Sequence, residues 1–229
     1  IGEGDAANAF AVAHDNVIDV LDSSTLNRVL RLPHGSMARI TRFSPSGERI
    51  ASGGGRAFKA RGPLVLSTLH LWDAKSGEDL FKHVYSGSVS ACAFSPDGSR
   101  IAVGTATAQL FVLDSRTGEQ LAELKAATSA NDTSSMLSGT MAHSYTVSGA
   151  AFSANGELLY SCSPRRSGGG ELRIWDARTF AELTPKPGYF RPPLEHASKW
   201  SGLALTASRD HVILWDRERG GVEEWALPD

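Results

Sequence analysis

Two cysteines in 229 residues, Cys92 and Cys162, are too few for a disulfide framework, so the fold must rest on its own apolar core. Both read as buried reduced thiols, with a bridge between neighbouring strands as the alternative. No apolar run reaches the ~18 residues that span a bilayer as a helix. The opening residues, Ile1-Gly2-Glu3-Gly4-Asp5, carry neither the basic nor the apolar stretch of a signal peptide, and a cytoplasmic location is expected. They also lack an initiator Met, so a processed form or a piece of a longer protein is expected. Charge of either sign is barely in excess: the formal net charge is −2, which disfavours nucleic acid as a partner and excludes an acidic tail. Membrane association is not expected either.

Catalytic signatures are equally scarce. Gly53-Gly54-Gly55 and Gly168-Gly169-Gly170 lack the Gly-Lys-Ser/Thr of a phosphate loop and read as turn or bulge glycines. The seven histidines (14, 34, 70, 83, 143, 196 and 211) show no zinc-ligand spacing, and no metal or cofactor is expected. No Gly-x-Ser-x-Gly elbow or reactive-cysteine context is present, so no catalytic residue is assigned.

What the chain does contain is a repeat. Phe43-Ser44-Pro45-Ser46-Gly47-Glu48-Arg49-Ile50-Ala51 recurs as Phe94-Ser95-Pro96-Asp97-Gly98-Ser99-Arg100-Ile101-Ala102, and again over Phe152 to Tyr160. Each copy is an apolar strand end, a Gly-centred polar turn and a second apolar strand, which is hairpin chemistry. A second signature follows each copy: Leu69 to Asp73, Leu110 to Asp114 and Leu172 to Asp176, with further examples at Val212 to Asp216 and, weakly, Ile18 to Asp22. Fourth strands are expected over Asp79 to Val84, Gln120 to Lys125 and Ala181 to Thr184. The closing aspartates, at 22, 73, 114, 176 and 216, are spaced 51, 41, 62 and 40 apart.

Phe-Ser-Pro-Asp-Gly, followed about twenty residues later by an apolar strand ending in Trp-Asp, resembles the WD40 repeat, whose blades repeat every ~40–45 residues. The resemblance runs from about Ala9 to Trp225. It implies an all-β fold, a β-propeller of four-stranded antiparallel blades. One domain over 1–229 is expected, with repeats at about 9–32, 33–85, 86–125, 143–184 and 188–227. The first repeat lacks its first strand, and the first strand of the last is unclear. The arc is therefore a small closed ring or part of a larger one. In the family, a His nine residues before the hairpin Phe joins a buried network with Ser or Thr, Asp and Trp. His34 and His143 have that spacing, and Asp210 stands five residues before Trp215. The repeat-structural set is thus His34, His143, Trp72, Asp73, Trp175, Asp176, Asp210, Trp215 and Asp216. The style of the repeats resembles bacterial members, which often accompany kinase or ATPase-type domains.

In the resembled fold, the connections between blades and the turns joining second to third strands lie on one face, the top. The insertions here are of that kind: 53–68, 126–146, 163–170 and 185–200. They carry Arg56, Lys59, Arg61, Arg165, Arg166, Lys186, Arg191 and Lys199 against Asp132 and Glu195. The opposite face carries Glu48, Glu78, Asp97, Glu119 and Glu157. A basic top face suits an acidic or phosphorylated protein partner. Tyr189, Phe190 and Trp200 are the candidate aromatic anchors. The expected function is a protein-interaction scaffold. The alternatives are a propeller hydrolase or lyase with its site at the central channel, and an architectural domain that self-associates. Small residues over Val89 to Ala93 and Thr146 to Ala150 disfavour the enzyme.

Overall fold

Period-two apolar patterning between Gly-centred turns folds into short antiparallel strands joined in sequence order. A computed structural model describes residues 9–55, 66–125, 141–143, 145–164, 170–183, 202–205, 211–215 and 222–226. Within these residues the chain is all strand and turn. Sheet I is β1 (Ala9–His14), β2 (Val17–Asp22) and β3 (Arg28–Pro33). Sheet II is β4 (Ala38–Phe43), β5 (Arg49–Gly54), β6 (Leu66–Asp73) and β7 (Asp79–Ser86). Sheet III is β8 (Val89–Phe94), β9 (Arg100–Thr105), β10 (Leu110–Asp114) and β11 (Gln120–Leu124). Sheet IV is β12 (Gly149–Phe152), β13 (Leu158–Pro164) and β14 (Gly170–Asp176). Sheet V is β15 (Gly202–Leu205), β16 (His211–Trp215) and β17 (Val222–Ala226). The fourth strand expected over Ala181 to Thr184 is reduced, among the described residues, to a bridge between Trp175 and Glu182 flanked by bonds from Leu183 N–H to the Ile174 carbonyl and from Asp176 N–H to the Ala181 carbonyl.

Neighbouring sheets meet through their innermost strands in the order β1, β4, β8, β12, β15, as blades of a propeller do. No substantial packing of sheet V on sheet I is seen among the described residues. Three apolar layers fill the gaps between the first four sheets. Ile18, Val20 and Leu32 meet Ala38, Ile50 and Trp72 between I and II. Ala51, Leu69 and Leu71 meet Ile101, Val103 and Leu113 between II and III. Ala102, Leu110 and Val112 meet Phe152, Leu159 and Trp175 between III and IV. The other face of sheet I leaves Phe10 and Val12 exposed on β1.

The repeated turns are the same object built three times. Ser44, Ser95 and Ser153 each accept through Oγ from the backbone N–H five residues on, at 3.1, 2.9 and 2.9 Å. Gly47, Gly98 and Gly156 hold φ near +75, +71 and +73°, the left-handed geometry that glycine adopts without a Cβ clash. Of the first glycine triplet, Gly53 and Gly54 lie inside β5, facing the irregularity in β4 between Ala38 and Ile40, where the Val89 side chain and the Met37 carbonyl occupy the space a Cβ would need. Only Gly55 has a positive φ, at +128°. The second triplet lies mostly outside the described residues.

An arginine opening the second strand of a blade clamps the next blade. Arg49 Nη1 donates to the Ser115 carbonyl at 2.8 Å. Arg100 Nη1 donates in the same way to the Ala177 carbonyl, and its guanidinium lies 5.8 Å from the Phe152 ring centre. Both arginines come from the hairpin motif, so the repeat encodes an inter-blade contact as well as a turn.

Candidate functional site

Aspartates that close the third strands are turn caps. Asp22, Asp73, Asp114 and Asp176 each accept through Oδ1 from the backbone N–H groups two and three residues on, at 2.6 to 3.0 Å. Hydrogen bonds to the ionised form hold these carboxyls below their ordinary range, Asp22 at about 2, chiefly through the Ser24 hydroxyl. The weak first copy of the motif therefore folds as the strong ones do. Asp73 and Asp176 take the structural role expected of them. Asp210 and Asp216 lie outside the described residues, as does the side chain of Trp215.

The densest chemistry is in sheet IV. Trp175 Nε1 donates to Ser161 Oγ at 2.8 Å, and Ser161 Oγ lies 2.7 Å from His143 Nε2. His143 Nδ1 lies 3.2 Å from Glu171 Oε2. Arg173 approaches Glu171 at 3.7 Å and donates to Glu182 at 2.6 Å. Ser161, Glu171, Trp175 and the His143 side chain are buried. Burial holds the His143 pKa below its ordinary value and outweighs the opposing pull of Glu171. The neutral ring, with its proton on Nδ1 toward Glu171, lets the Ser161 hydroxyl donate to Nε2 while accepting from Trp175.

Ser161, His143 and Glu171 thus stand in the order of a hydrolytic triad, and the order is misleading. A nucleophile must reach a substrate carbonyl. Ser161 is fully buried, and its oxygen is already used by the Trp175 indole and the imidazole. The arrangement stiffens a core; it does not present a nucleophile. Sequence reading missed its acid, because Glu171 stands four residues before the Trp, where an Asp five before was sought. The extra methylene of Glu spans the shifted register.

The other sheets solve the same position differently. Strand register aligns four pairs: Val12 with Asp19, Ser52 with His70, Val103 with Phe111, and Ser161 with Arg173. In register, Asp19, His70 and Phe111 lie opposite Arg31, Lys82 and Glu123 of the fourth strand, while Asp19, His70 and Arg173 also reach diagonally to Arg28, Asp79 and Glu182. Sheets I, II and IV put opposite charges or a His–Asp pair there, at 3.7, 2.9 and 2.6 Å. Sheet III is apolar instead: Phe111 packs 5.0 Å from Tyr85, which occupies the histidine position nine residues before Phe94. In sheet II, Trp72 Nε1 keeps its bond to Ser52 Oγ at 2.8 Å. His34 is buried and turns Nδ1 toward the Ser36 carbonyl at 3.1 Å.

Of the candidate contact residues, Arg56, Lys59, Arg61, Arg165, Arg166, Tyr189, Phe190 and Trp200 lie outside the described residues. What the structure adds on the top side was missed in the sequence. Met37 and Tyr145, in connections between blades, and Leu66 and Val84, at the top of the long β6–β7 hairpin, are 42, 40, 62 and 60 % exposed. Isolated apolar residues in polar connections carry no periodic signal, which is why they were passed over. On the opposite face Glu48, Glu78, Asp97, Glu119 and Glu157 are all exposed, as expected, but so are Lys75, Arg116 and Arg178 in the same turns. Cys92 and Cys162 are free and buried, and burial pushes both thiols up to about 12.

Residues 79–112 and 135–176 match the family described as WD domain, G-beta repeat. These two stretches are similar to WD40 repeats. It is 26% identical over 163 residues to the guanine nucleotide-binding protein subunit beta of Oryza sativa, in both subspecies indica and japonica. That alignment covers 70% of this chain and 38% of the rice proteins, so the chain spans about two fifths of its curated relatives. Two solved structures are similar in fold. A chain of the mitotic checkpoint complex superposes with a TM-score of 0.72 at 17% identity, covering 97% of this chain and 60% of that one. The β-propeller domain of Cps50 (Swd1) from Myceliophteria thermophila superposes with a TM-score of 0.73 at 16% identity, covering 99% and 65%. The fold is therefore a β-propeller.

Proposed function

We propose that this chain is a protein-binding scaffold whose top side is the contact surface. The observation that carries the reading is an asymmetry. The opposite side is closed by short capped turns, whereas the described residues of the other side expose Met37, Leu66, Val84 and Tyr145. Sheets clamped by Arg49 and Arg100 give those four a stiff base, so little ordering entropy is lost when a partner docks on them. Arg56, Lys59, Arg61, Arg165 and Arg166 give the same side a basic character that favours an acidic or phosphorylated protein segment. Tyr189, Phe190 and Trp200 supply the aromatic anchors of that surface. The rice relatives are named as a subunit of a guanine nucleotide-binding protein, and a similar fold occurs in a checkpoint complex; both settings agree with a role in assembly.

The test compares the wild-type chain with a variant carrying Arg56, Arg61, Arg165 and Arg166 changed to Glu, and with Met37→Ser/Tyr145→Ser. Each is used to capture partners from the source lysate at low and high salt. A specific partner lost from the folded variants, and weakened by salt, supports the reading. The same partner held equally by all three chains at both salt levels overturns it.

A further inference from the structure

Sheets II and IV each bury a histidine at the same place in the repeat, nine residues before the hairpin Phe, but only one is given an acid. His143 has Glu171 at 3.2 Å. The position that corresponds to Glu171, four residues before the Trp, is Thr68 in sheet II. His34 instead faces a second imidazole. Its ring centre lies 4.8 Å from that of His70, which in turn stacks on Trp72 at 4.9 Å and 11°. The acid nearby, Asp79, is bonded to His70 Nδ1 at 2.9 Å, not to His34. His34 Nε2 is buried with no hydrogen-bond partner among the described residues.

We propose that the His34–His70 pair is an acid-sensitive latch between sheets I and II, and that protonation of His34 frees the 34–38 connection more readily than acid opens the sheet IV seam, where Glu171 faces His143. The connection is held by backbone bonds at both ends, His34 N–H to the Asn16 carbonyl at 2.9 Å and Ala38 N–H to the Asp15 carbonyl at 2.7 Å. Both bonds join sheet II to the β1–β2 turn of sheet I, so displacing His34 loosens the seam. No carboxylate is bonded to His34: His70 on β6 repels a cation there, Asp79 on β7 is bonded to His70 and favours the cation only weakly, and the Ser36 and Ser52 backbone groups favour it against the larger cost of burial. Asp19 pairs with His14, Arg28 and Arg31 on the far face of sheet I, while Arg39 and Arg42 on β4 are exposed. Burial first, and His70 second, hold the His34 pKa below its ordinary value of 6.5. The unfolded or opened segment therefore takes up the proton first. The latch is fully closed above pH 6.5 and weakens as pH falls below it, by up to about tenfold in the opening equilibrium per pH unit.

Hydrogen exchange of the whole chain, corrected for intrinsic rates, reads the latch directly. Protection over 28–43 and 49–54 is expected to fall up to about fivefold between about pH 6.5 and 5.5. Protection over 158–164 and 170–176 should fall less. His34→Gln should flatten the response at the seam, and Thr68→Glu, which restores an acid at the position Glu171 has in sheet IV, should move it to lower pH. If His34→Gln does not fold, Thr68→Glu and the comparison of the two seams still decide. Equal loss at both seams, a seam indifferent to pH, or a response unaltered by either substitution overturns the latch.

Discussion

Replacing Ser161 with Ala removes one oxygen on which two buried nitrogens depend. Trp175 Nε1 at 2.8 Å and His143 Nε2 at 2.7 Å both lose their partner in a site closed to water. An orphaned buried polar group costs about 1–3 kcal/mol, so the substitution should cost about 2–5 kcal/mol. Ser52→Ala is the internal control. It occupies the same place in sheet II, is equally buried, and holds Trp72 Nε1 at 2.8 Å, but His34 does not bond to it. One orphan there predicts about 1–3 kcal/mol. Urea unfolding followed by far-UV circular dichroism reads both, without relying on the tryptophans being perturbed. With a slope of about 2 kcal/mol/M, the midpoint should fall by about 1–2 M for Ser161→Ala and about half that for Ser52→Ala. Adding Trp175→Phe should reduce the cost of Ser161→Ala, because one of its two orphans is then gone. A Ser52→Ala loss as large as that of Ser161→Ala would refute the reasoning, since it would mean the second nitrogen contributes nothing.

Other substitutions probe the seams and the pH response. Arg100→Ala should cost about 1–2 kcal/mol, from its bond to Ala177 and its contact with Phe152, measured by the same urea midpoint. Gly54→Ala should cost about 2–3 kcal/mol or block folding, because the Met37 carbonyl occupies the Cβ position; a loss below about 0.5 kcal/mol in thermal unfolding would contradict the packing. Cys92 and Cys162, with thiols pushed to about 12, should resist a thiol reagent at pH 8 until denaturant is added. In acid, two losses of stability should separate. The histidines His34 and His143, held below 6.5, act first; the turn aspartates act later, as pH drops below 3.8 toward the value of about 2 held by Asp22 and Asp97. A single midpoint in a pH titration of unfolding would count against that order.

Blade number, strand order and turn chemistry were all legible in the sequence, because each depends on residues close together in the chain. Ser44 and Gly47 close the same turn, and Asp73 caps the backbone two and three residues on. Such contacts repeat wherever the motif repeats, and a repeat can be read from one dimension. What only the tertiary structure decided were the contacts between segments far apart in the chain. Glu171 meets His143 across 28 residues, and Arg100 reaches Ala177 across 77. The partner in each pairing is far along the chain, so it is chosen by how strands and sheets pack and not by spacing along one strand. For the same reason two histidines with one spacing have different surroundings: the folded sheets put a carboxylate against His143 and a second imidazole against His34.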